Sequence, residues 1–193
     1  MKTTLTMISK VVAATLSVTL VAGAALAAKA PADPCKFQKT IKQGGAEISI
    51  DIPADEPCGL GTFFMTIVPR KGDPQTLKAN RDGILVDAFA VELSGAAPPE
   101  IVVVAKGDGS AAYGAISIFE SVDGRYVERH VAKLRGPEAE GYAGRDLFTT
   151  KDGVIIRQFP HFAPPAEPGA EPQATGDTRT LKYDFAGNRW TQL

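Results

Sequence analysis

The sequence predicts an all-β protein, an antiparallel β-sandwich built of β-meanders, with eight or nine short strands and little helix. Three observations lead to this class. Short runs of alternating apolar and polar residues recur along the chain, turn residues separate these runs, and no long run has the period of a helix. With 19 glycines and 14 prolines among 193 residues, the chain also has too many breaks for a bundle of long helices.

The predicted strands follow one another through most of the chain. They are 46–52, 62–68, 84–93, 100–106, 116–120, 125–132, 146–150, 154–159 and 178–185, with a short closing segment that reaches Trp190. In the first of them, Ile48, Ile50 and Ile52 alternate with polar residues, which is typical of a half-buried strand. The polar segment 69–83 is predicted to be irregular, with one helical turn near 76–80.

The run 101–105 differs from the other predicted strands because it is apolar at consecutive positions. Such a run has apolar side chains on both faces, so it predicts a central strand that is covered on each side. Glycine-containing turns at 122–124 and 151–153 predict hairpins. The segment 160–177 contains five prolines, and we expect a loop without regular structure there.

The first 27 residues have the pattern of a secretory signal peptide. A basic start is followed by an uncharged apolar run at 11–23 and by Ala25 and Ala27, the small residues that a signal peptidase requires. The apolar run is shorter than the roughly 20 residues that cross a bilayer, so it predicts a cleaved leader and not a membrane anchor. Cleavage is predicted after Ala27, and a second small-residue site ends at Ala30.

The exported segment 28–193 predicts one domain, because its length is typical of a single domain. The chain has 22 acidic and 21 basic residues, and Lys2 and Lys10 belong to the leader, so the exported segment is mildly acidic. This balance argues against nucleic-acid binding and against a partner membrane, because both need a dense basic surface. A mildly acidic surface instead suits a basic protein partner.

The two cysteines, Cys35 and Cys58, both lie in the exported segment. An oxidising compartment favours their pairing, and with two cysteines only one disulfide can form. In the chain-entropy model this disulfide stabilises the fold by roughly 3 kcal/mol. A catalytic or metal-binding thiol is disfavoured, because there is no Cys-x-x-Cys and the two histidines, His130 and His161, are distant in sequence.

The sequence contains no recognisable catalytic motif. Ser110 lies in a glycine-rich turn, but the surrounding residues are not Gly-x-Ser-x-Gly and no helix pattern follows. With two histidines, no His-x-x-x-His and no Asp-x-Asp, neither a metal nor a cofactor is predicted. Acidic residues are spread singly, so a pair of glycosidase carboxylates is neither identified nor excluded. We therefore expect a protein that is not an enzyme.

The segment 107–114, Gly-Asp-Gly-Ser-Ala-Ala-Tyr-Gly, has unusual chemistry. It begins and ends with glycine, and Ser110 and Tyr113 are its neutral hydrogen-bonding side chains. Such a segment is able to form a slender, tightly turned loop that enters a concave cleft. The alternative is a plain hairpin connection in which Tyr113 packs on the sheet.

Several short segments are weak signals singly and fairly specific together, through their order and spacing. They begin near Val86 and continue with 99–103 (Pro-Glu-Ile-Val-Val), 109–114 (Gly-Ser-Ala-Ala-Tyr-Gly), 118–120, 141–148, 156–160, 175–179 and Tyr183. In this order they resemble the periplasmic inhibitors of invertebrate-type (I-type) lysozyme from Gram-negative bacteria.

This resemblance implies a β-sandwich that inserts a loop bearing serine and tyrosine into the active-site cleft of lysozyme, and so protects peptidoglycan in the periplasm. On this chain the loop residues that match are Gly109, Ser110, Tyr113 and Gly114. A second group of matching residues implies a second contact or a support for the loop: Tyr142, Gly144, Asp146 and Arg157. A hydroxyl group among the carboxyl groups of lysozyme would occupy the substrate site without offering a bond to cleave.

The sequence departs from the family pattern at three places. Ala96 and Ala97 stand where an Asn or Asp is common, the long segment 163–173 replaces a short link, and Ala111 and Ala112 stand where a glycine is expected beside the serine. These departures bear on which lysozyme is bound more than on the fold. The alternative function is a periplasmic module that binds another envelope protein or a glycan, and a cell-wall hydrolase ranks third. The sequence leaves a homodimer open.

Overall fold

Twelve β-strands and one 3₁₀ turn make up the computed structural model, which describes residues 33, 35–165, 167 and 169–193. The strands are β1 (Gln38–Gln43), β2 (Ala46–Asp51), β3 (Leu60–Val68), β4 (Gln75–Asp82), β5 (Ile84–Val91), β6 (Glu100–Lys106), β7 (Gly114–Val122), β8 (Arg125–Arg129), β9 (Leu147–Lys151), β10 (Val154–Ala163), β11 (Gln173–Asp184) and β12 (Arg189–Gln192). The 3₁₀ turn is Gly136–Ala139. The predicted signal peptide and its cleavage site after Ala27 or Ala30 lie outside the described residues.

The strands form three antiparallel sheets of four strands each, and each sheet is a meander. The first sheet contains β1 to β4, the middle sheet β5 to β8, and the third sheet β9 to β12. The prediction of an all-β, antiparallel fold built of meanders is confirmed. Among the described residues, no helix is long and apolar enough to cross a membrane.

Strand β6 is the centre of the fold, because both of its faces are covered. Ile101 and Val103 pack in a cluster with the first sheet, whereas Val102 and Val104 pack in a second cluster with residues of the third sheet. The middle sheet is therefore sandwiched between the other two. Burying each of these side chains contributes about 1.5–3 kcal/mol, so this strand is a strong anchor for the loop that follows it. The predicted central strand at 101–105 is confirmed.

The number of strands is larger than the eight or nine predicted from the sequence. Strand β4 forms where an irregular segment with a helical turn near 76–80 was predicted. Its residues alternate between solvent and the core, with Ala79 and Arg81 buried, but the polar and charged side chains conceal this period in the sequence. Strand β1 was missed for the same reason, since Ile41 is its one large apolar residue.

The prediction of an irregular loop at 160–177 is wrong at both of its ends. Strand β10 continues to Ala163 and β11 begins at Gln173, so the proline-rich part is the tip of a long hairpin. Pro160 is tolerated because β9 pairs with β10 only as far as Gln158, and a register shift with β11 follows directly after it. Proline is found in sheets at such edges and bulges, where no ladder hydrogen bond is lost.

Cys35 and Cys58 form a disulfide, as predicted, with their Cα atoms 4.7 Å apart. It joins the segment before β1 to the segment before β3. The buried guanidinium of Arg81 donates to the carbonyl oxygens of Cys58 at 2.5 Å and Pro57 at 2.6 Å. The segment 57–59, which we call the disulfide segment, is thus fixed against β4 as well as by the covalent bond.

Candidate protein-binding loop

The loop 107–113 connects two neighbouring strands of the middle sheet, and we call it the β6–β7 loop. Its neck is closed by the Gly107 N–H, which donates to the Tyr113 carbonyl at 2.9 Å. Its tip is closed by the Ala112 N–H, which donates to the Gly109 carbonyl at 2.9 Å. Because the side chains at its tip, 109–112, are also small or absent, the loop is narrow and tightly turned.

The β6–β7 loop presents the two polar side chains that the sequence singled out. Ser110 is exposed at the tip, and Tyr113 is 55% exposed. The ring of Tyr113 contacts the ring of Tyr142 edge-on, with centroids 5.7 Å apart. Tyr113 is therefore not packed into the sheet core, and about half of its surface is open to solvent.

A second loop, 141–146, supports the β6–β7 loop from one side. The Arg145 N–H donates to the Ala111 carbonyl at 2.8 Å. Gly144 lies so close to this contact that a Cβ there would be 1.9 Å from the Ala111 carbonyl oxygen. Gly144 also has a φ of +93°, a conformation that favours glycine. Both the space and the backbone conformation therefore require glycine at this position.

The carboxylate of Asp146 lies beneath the base of the β6–β7 loop and is fully buried. It accepts three hydrogen bonds at 2.6 Å, from the Gly114 N–H, the Tyr142 hydroxyl and Nε of Arg157. A Cβ at Gly114 would be 2.5 Å from the Cβ of Asp146, so this contact also requires glycine. One carboxylate therefore joins the start of β7, the second loop and β10.

Arg157 is 6% exposed, and the Asp146 carboxylate balances its charge. Four aromatic rings surround its guanidinium carbon at the following centroid distances: Tyr142 at 4.8 Å, Phe148 at 5.3 Å, Trp190 at 5.4 Å and Phe159 at 5.9 Å. Stacking on aromatic faces stabilises a guanidinium that has lost most of its water. This ion pair is a buried support for the second loop and not an exposed contact.

Tyr142 connects the buried support to the exposed Tyr113. Burial, and after it the hydrogen bond to Asp146, raises the pKa of the Tyr142 hydroxyl well above its usual value. The hydroxyl therefore stays protonated and continues to donate to the carboxylate. The ring also contacts Phe159, with centroids 4.9 Å apart, while its other neighbour is the exposed Tyr113.

The opposite side of the β6–β7 loop faces the disulfide segment. The Asp108 carboxylate lies against Gly59, where a Cβ would be 2.3 Å from Asp108 Oδ2. Gly83 lies equally close to the start of the loop, because a Cβ there would be 2.4 Å from the Lys106 carbonyl oxygen. The loop is thus flanked by Gly59 and Gly83 on one side and by the second loop on the other.

The structure brings all eight predicted site residues together. Gly109, Ser110, Tyr113 and Gly114 belong to the β6–β7 loop or its end, and Tyr142, Gly144, Asp146 and Arg157 lie against or beneath it. Sequence reasoning missed the parts played by Gly59, Phe148 and Trp190. No local pattern indicates these parts, because each residue is distant in the sequence from the β6–β7 loop and reaches the site only in the folded structure. Within the described ranges, no group of three or more His, Cys, Asp or Glu side chains is placed to hold a metal ion.

Two solved structures are similar to this chain. One is PliI-Ah, a periplasmic lysozyme inhibitor of I-type lysozyme from Aeromonas hydrophila, with 21% identity and a TM-score of 0.40 over 48% of this chain and 89% of that one. The other is Aeromonas hydrophila PliI in complex with Meretrix lusoria lysozyme, with 24% identity and a TM-score of 0.40 over 48% of this chain and 85% of that one. No family model matches the chain, and no curated protein matches it.

Proposed function

We propose that this protein inhibits an invertebrate-type lysozyme by inserting the β6–β7 loop into the active-site cleft of the enzyme. The observation that carries the proposal is the exposure of Ser110 and Tyr113 on a narrow loop that is held from beneath by the buried Asp146. The order and spacing of the short segments that resemble the periplasmic lysozyme inhibitors supports the same function.

The side chains of the β6–β7 loop suit a groove that contains carboxyl groups. Lysozymes act through a pair of carboxyl groups that flank the bond to be cleaved. The Ser110 hydroxyl would donate to one of these carboxylates, and a hydrogen bond to a charged acceptor is stronger than one between neutral groups. Tyr113 would fill a sugar-binding position with its ring, and the loop offers no glycosidic bond.

The support of the loop favours tight binding, because a loop that is already ordered loses little entropy when it binds. The Ala111 carbonyl and the Gly114 N–H are both held by the second loop, through Arg145 and Asp146. The β6–β7 loop is therefore fixed at its tip and at its base before any partner arrives.

The compartment and the charge of the chain agree with this function. The leader predicts export, and we place the mature protein in the periplasm, where it would protect peptidoglycan from a lysozyme that enters. Its mildly acidic composition suits a basic enzyme as partner. Because Ser110 and Tyr113 would act as contacts in a protein interface, we propose an inhibitor that is not itself an enzyme.

The test is a titration of an invertebrate-type lysozyme with the mature protein, with lysis of a cell-wall suspension as the readout. We expect activity to fall to zero near one inhibitor per enzyme, and the double variant Ser110→Ala/Tyr113→Ala to lose this effect while it keeps the parent melting temperature. Ser94→Ala is the matched control, since it removes an exposed hydroxyl from the loop at the other end of β6.

Full inhibition by a folded double variant would contradict the role of the β6–β7 loop. No inhibition by the parent protein would contradict the function itself. In that case, pull-down with envelope proteins and with cell-wall glycans would test the alternative of another periplasmic binding module.

A further inference from the structure

A cleft of about 490 Å³ opens beside the β6–β7 loop, between the middle and third sheets. Aromatic side chains form much of its wall, including Tyr113, Tyr142, Phe148 and Trp190. The segment after β8, which includes Val131 and Lys133, forms the opposite side. A cleft of this size, mostly apolar and with a few polar groups, is typical of a site for a small molecule.

The buried Arg157 lines this cleft, and its hydrogen bonds leave part of its guanidinium free. Nε donates to Asp146, and the Tyr142 hydroxyl is a further hydrogen-bonding neighbour of the guanidinium, but among the described residues no carbonyl or carboxylate accepts from its two terminal nitrogens. A guanidinium presents its donors in a planar fork that matches a carboxylate. A buried guanidinium edge that faces a cavity is therefore suited to an anion.

Among the described residues, the one further charged residue that lines the cleft, Lys133, is also positive. Lys133 is exposed and lines the cleft, and none of the residues that line it is an Asp or Glu. The nearest carboxylate, that of Asp146, is fully buried and already accepts three hydrogen bonds. The groups that a ligand would meet are thus two cations and a set of aromatic rings.

We propose that this cleft binds a small organic carboxylate with an apolar body. The carboxylate pairs with the terminal nitrogens of Arg157, and the apolar body packs between the rings of Phe148 and Trp190 and the side chain of Val131. Lys133 attracts the anion from the rim. The cleft shares the side chain of Tyr113 with the proposed lysozyme contact, but its carboxylate-binding groups, Arg157 and Lys133, take no part in that contact, so the proposal does not depend on that function.

Trp190 provides the measurement, because it is the single tryptophan of the chain and lines the cleft. Its indole N–H, which donates to the Ala132 carbonyl at 3.2 Å, gives one resolved signal in a nitrogen–proton correlation spectrum. The probe is 4-ethylbenzoate, and its neutral isostere 4-ethylbenzamide is the control ligand. We expect the Trp190 signal to shift saturably with the benzoate and the amide to bind about tenfold more weakly, because it lacks the charge.

Two variants test the site without removing the buried Arg157, whose loss is expected to destabilise the protein strongly. Lys133→Ala should weaken the benzoate about threefold and leave the amide unchanged, with Lys151→Ala as an exposed control outside the cleft. Val131→Phe enlarges a half-buried side chain that lines the cleft and should abolish binding of both probes. Equal affinity for the two probes, no saturable shift, or unchanged binding to a folded Val131→Phe variant would each overturn the proposal.

Discussion

Substitution of Tyr113 should weaken binding and leave the stability of the protein unchanged. Interface energy is concentrated in a few residues, among which tyrosine is frequent, so Tyr113→Ala should weaken lysozyme binding by about 2 kcal/mol or more. Ser110→Ala should cost about 1.5–3 kcal/mol if its hydroxyl donates to a carboxylate in the complex. Both side chains are exposed, so the melting temperature should not change. Calorimetric binding and thermal unfolding of the same samples check this, and a large drop in melting temperature for Tyr113→Ala would contradict the expected role.

Arg157 belongs to the stability of the molecule and not to its exposed surface. Removing one partner of a buried ion pair leaves the other charge without compensation, which costs about 3–5 kcal/mol. We therefore expect Arg157→Ala to lower the free energy of unfolding by this amount, as measured by urea denaturation. A variant that unfolds like the parent but no longer binds its partner would place Arg157 in the interface instead.

The raised pKa of Tyr142 predicts a dependence of stability on pH. In the unfolded chain this hydroxyl titrates near its ordinary value of 10.0, whereas in the native state it keeps its proton to higher pH. Its contribution to stability is therefore complete below about pH 10 and is lost as the pH rises further. Tyr142→Phe removes the hydroxyl that titrates, so the variant should lose less stability at high pH. We expect the free energy of unfolding, measured by urea denaturation, to decrease less between pH 8 and pH 10.5 for the variant than for the parent. Tyr126 and Tyr183, whose pKa values burial also raises, are present in both proteins and cancel in the comparison.

At the scale of elements, the second loop determines the position of the β6–β7 loop. In Gly144→Ala the new Cβ would collide with the Ala111 carbonyl, so we expect the β6–β7 loop to shift and inhibition to weaken about tenfold or more. Gly124→Ala is the matched control, because Gly124 has a similar φ of +77° and nothing lies within 4 Å of its Cβ position. Both variants carry the backbone strain, and only the first carries the collision. Equal inhibition by the two variants would show that the contact with Ala111 does not position the loop.

The elements also show what the sequence could predict. Strand β6 and its end at a glycine-rich turn were predicted correctly, because a consecutive apolar run and a glycine-rich turn are local signals. Strand β4 was not, because its inward residues Ala79 and Arg81 are small or charged, and Arg81 is buried only through carbonyl groups that the fold supplies. The eight site residues could be named from the resemblance. The connection of Gly114, Tyr142 and Arg157 through the Asp146 carboxylate could not, because Gly114 and Arg157 lie on strands of different sheets that only the folded chain brings together.

At the scale of the whole molecule, the middle sheet lies between two groups of contacts that stabilise the protein. The disulfide belongs to the first sheet, whereas Asp146, Arg157 and their aromatic neighbours hold the β6–β7 loop from the side of the third sheet. The disulfide segment contacts the loop at Gly59, against the side chain of Asp108, and Gly83, between β4 and β5, donates its N–H to the Gly59 carbonyl at 2.6 Å. The hydrogen bonds that tie the tip and base of the loop to the rest of the protein come instead from the second loop.

This separation predicts that loss of the disulfide destabilises the protein more than it weakens binding. The bond closes a loop with a sequence separation of 23, so Cys35→Ala/Cys58→Ala should lower the free energy of unfolding by about 3 kcal/mol. At 25 °C the folded variant should still inhibit with a Kd within about threefold of the parent, because the bonds to Arg145 and Asp146 remain. Urea denaturation and inhibition of the same preparation measure the two effects. A folded variant that has lost inhibition would show that the first sheet, through Gly59 and Asp108, positions the β6–β7 loop.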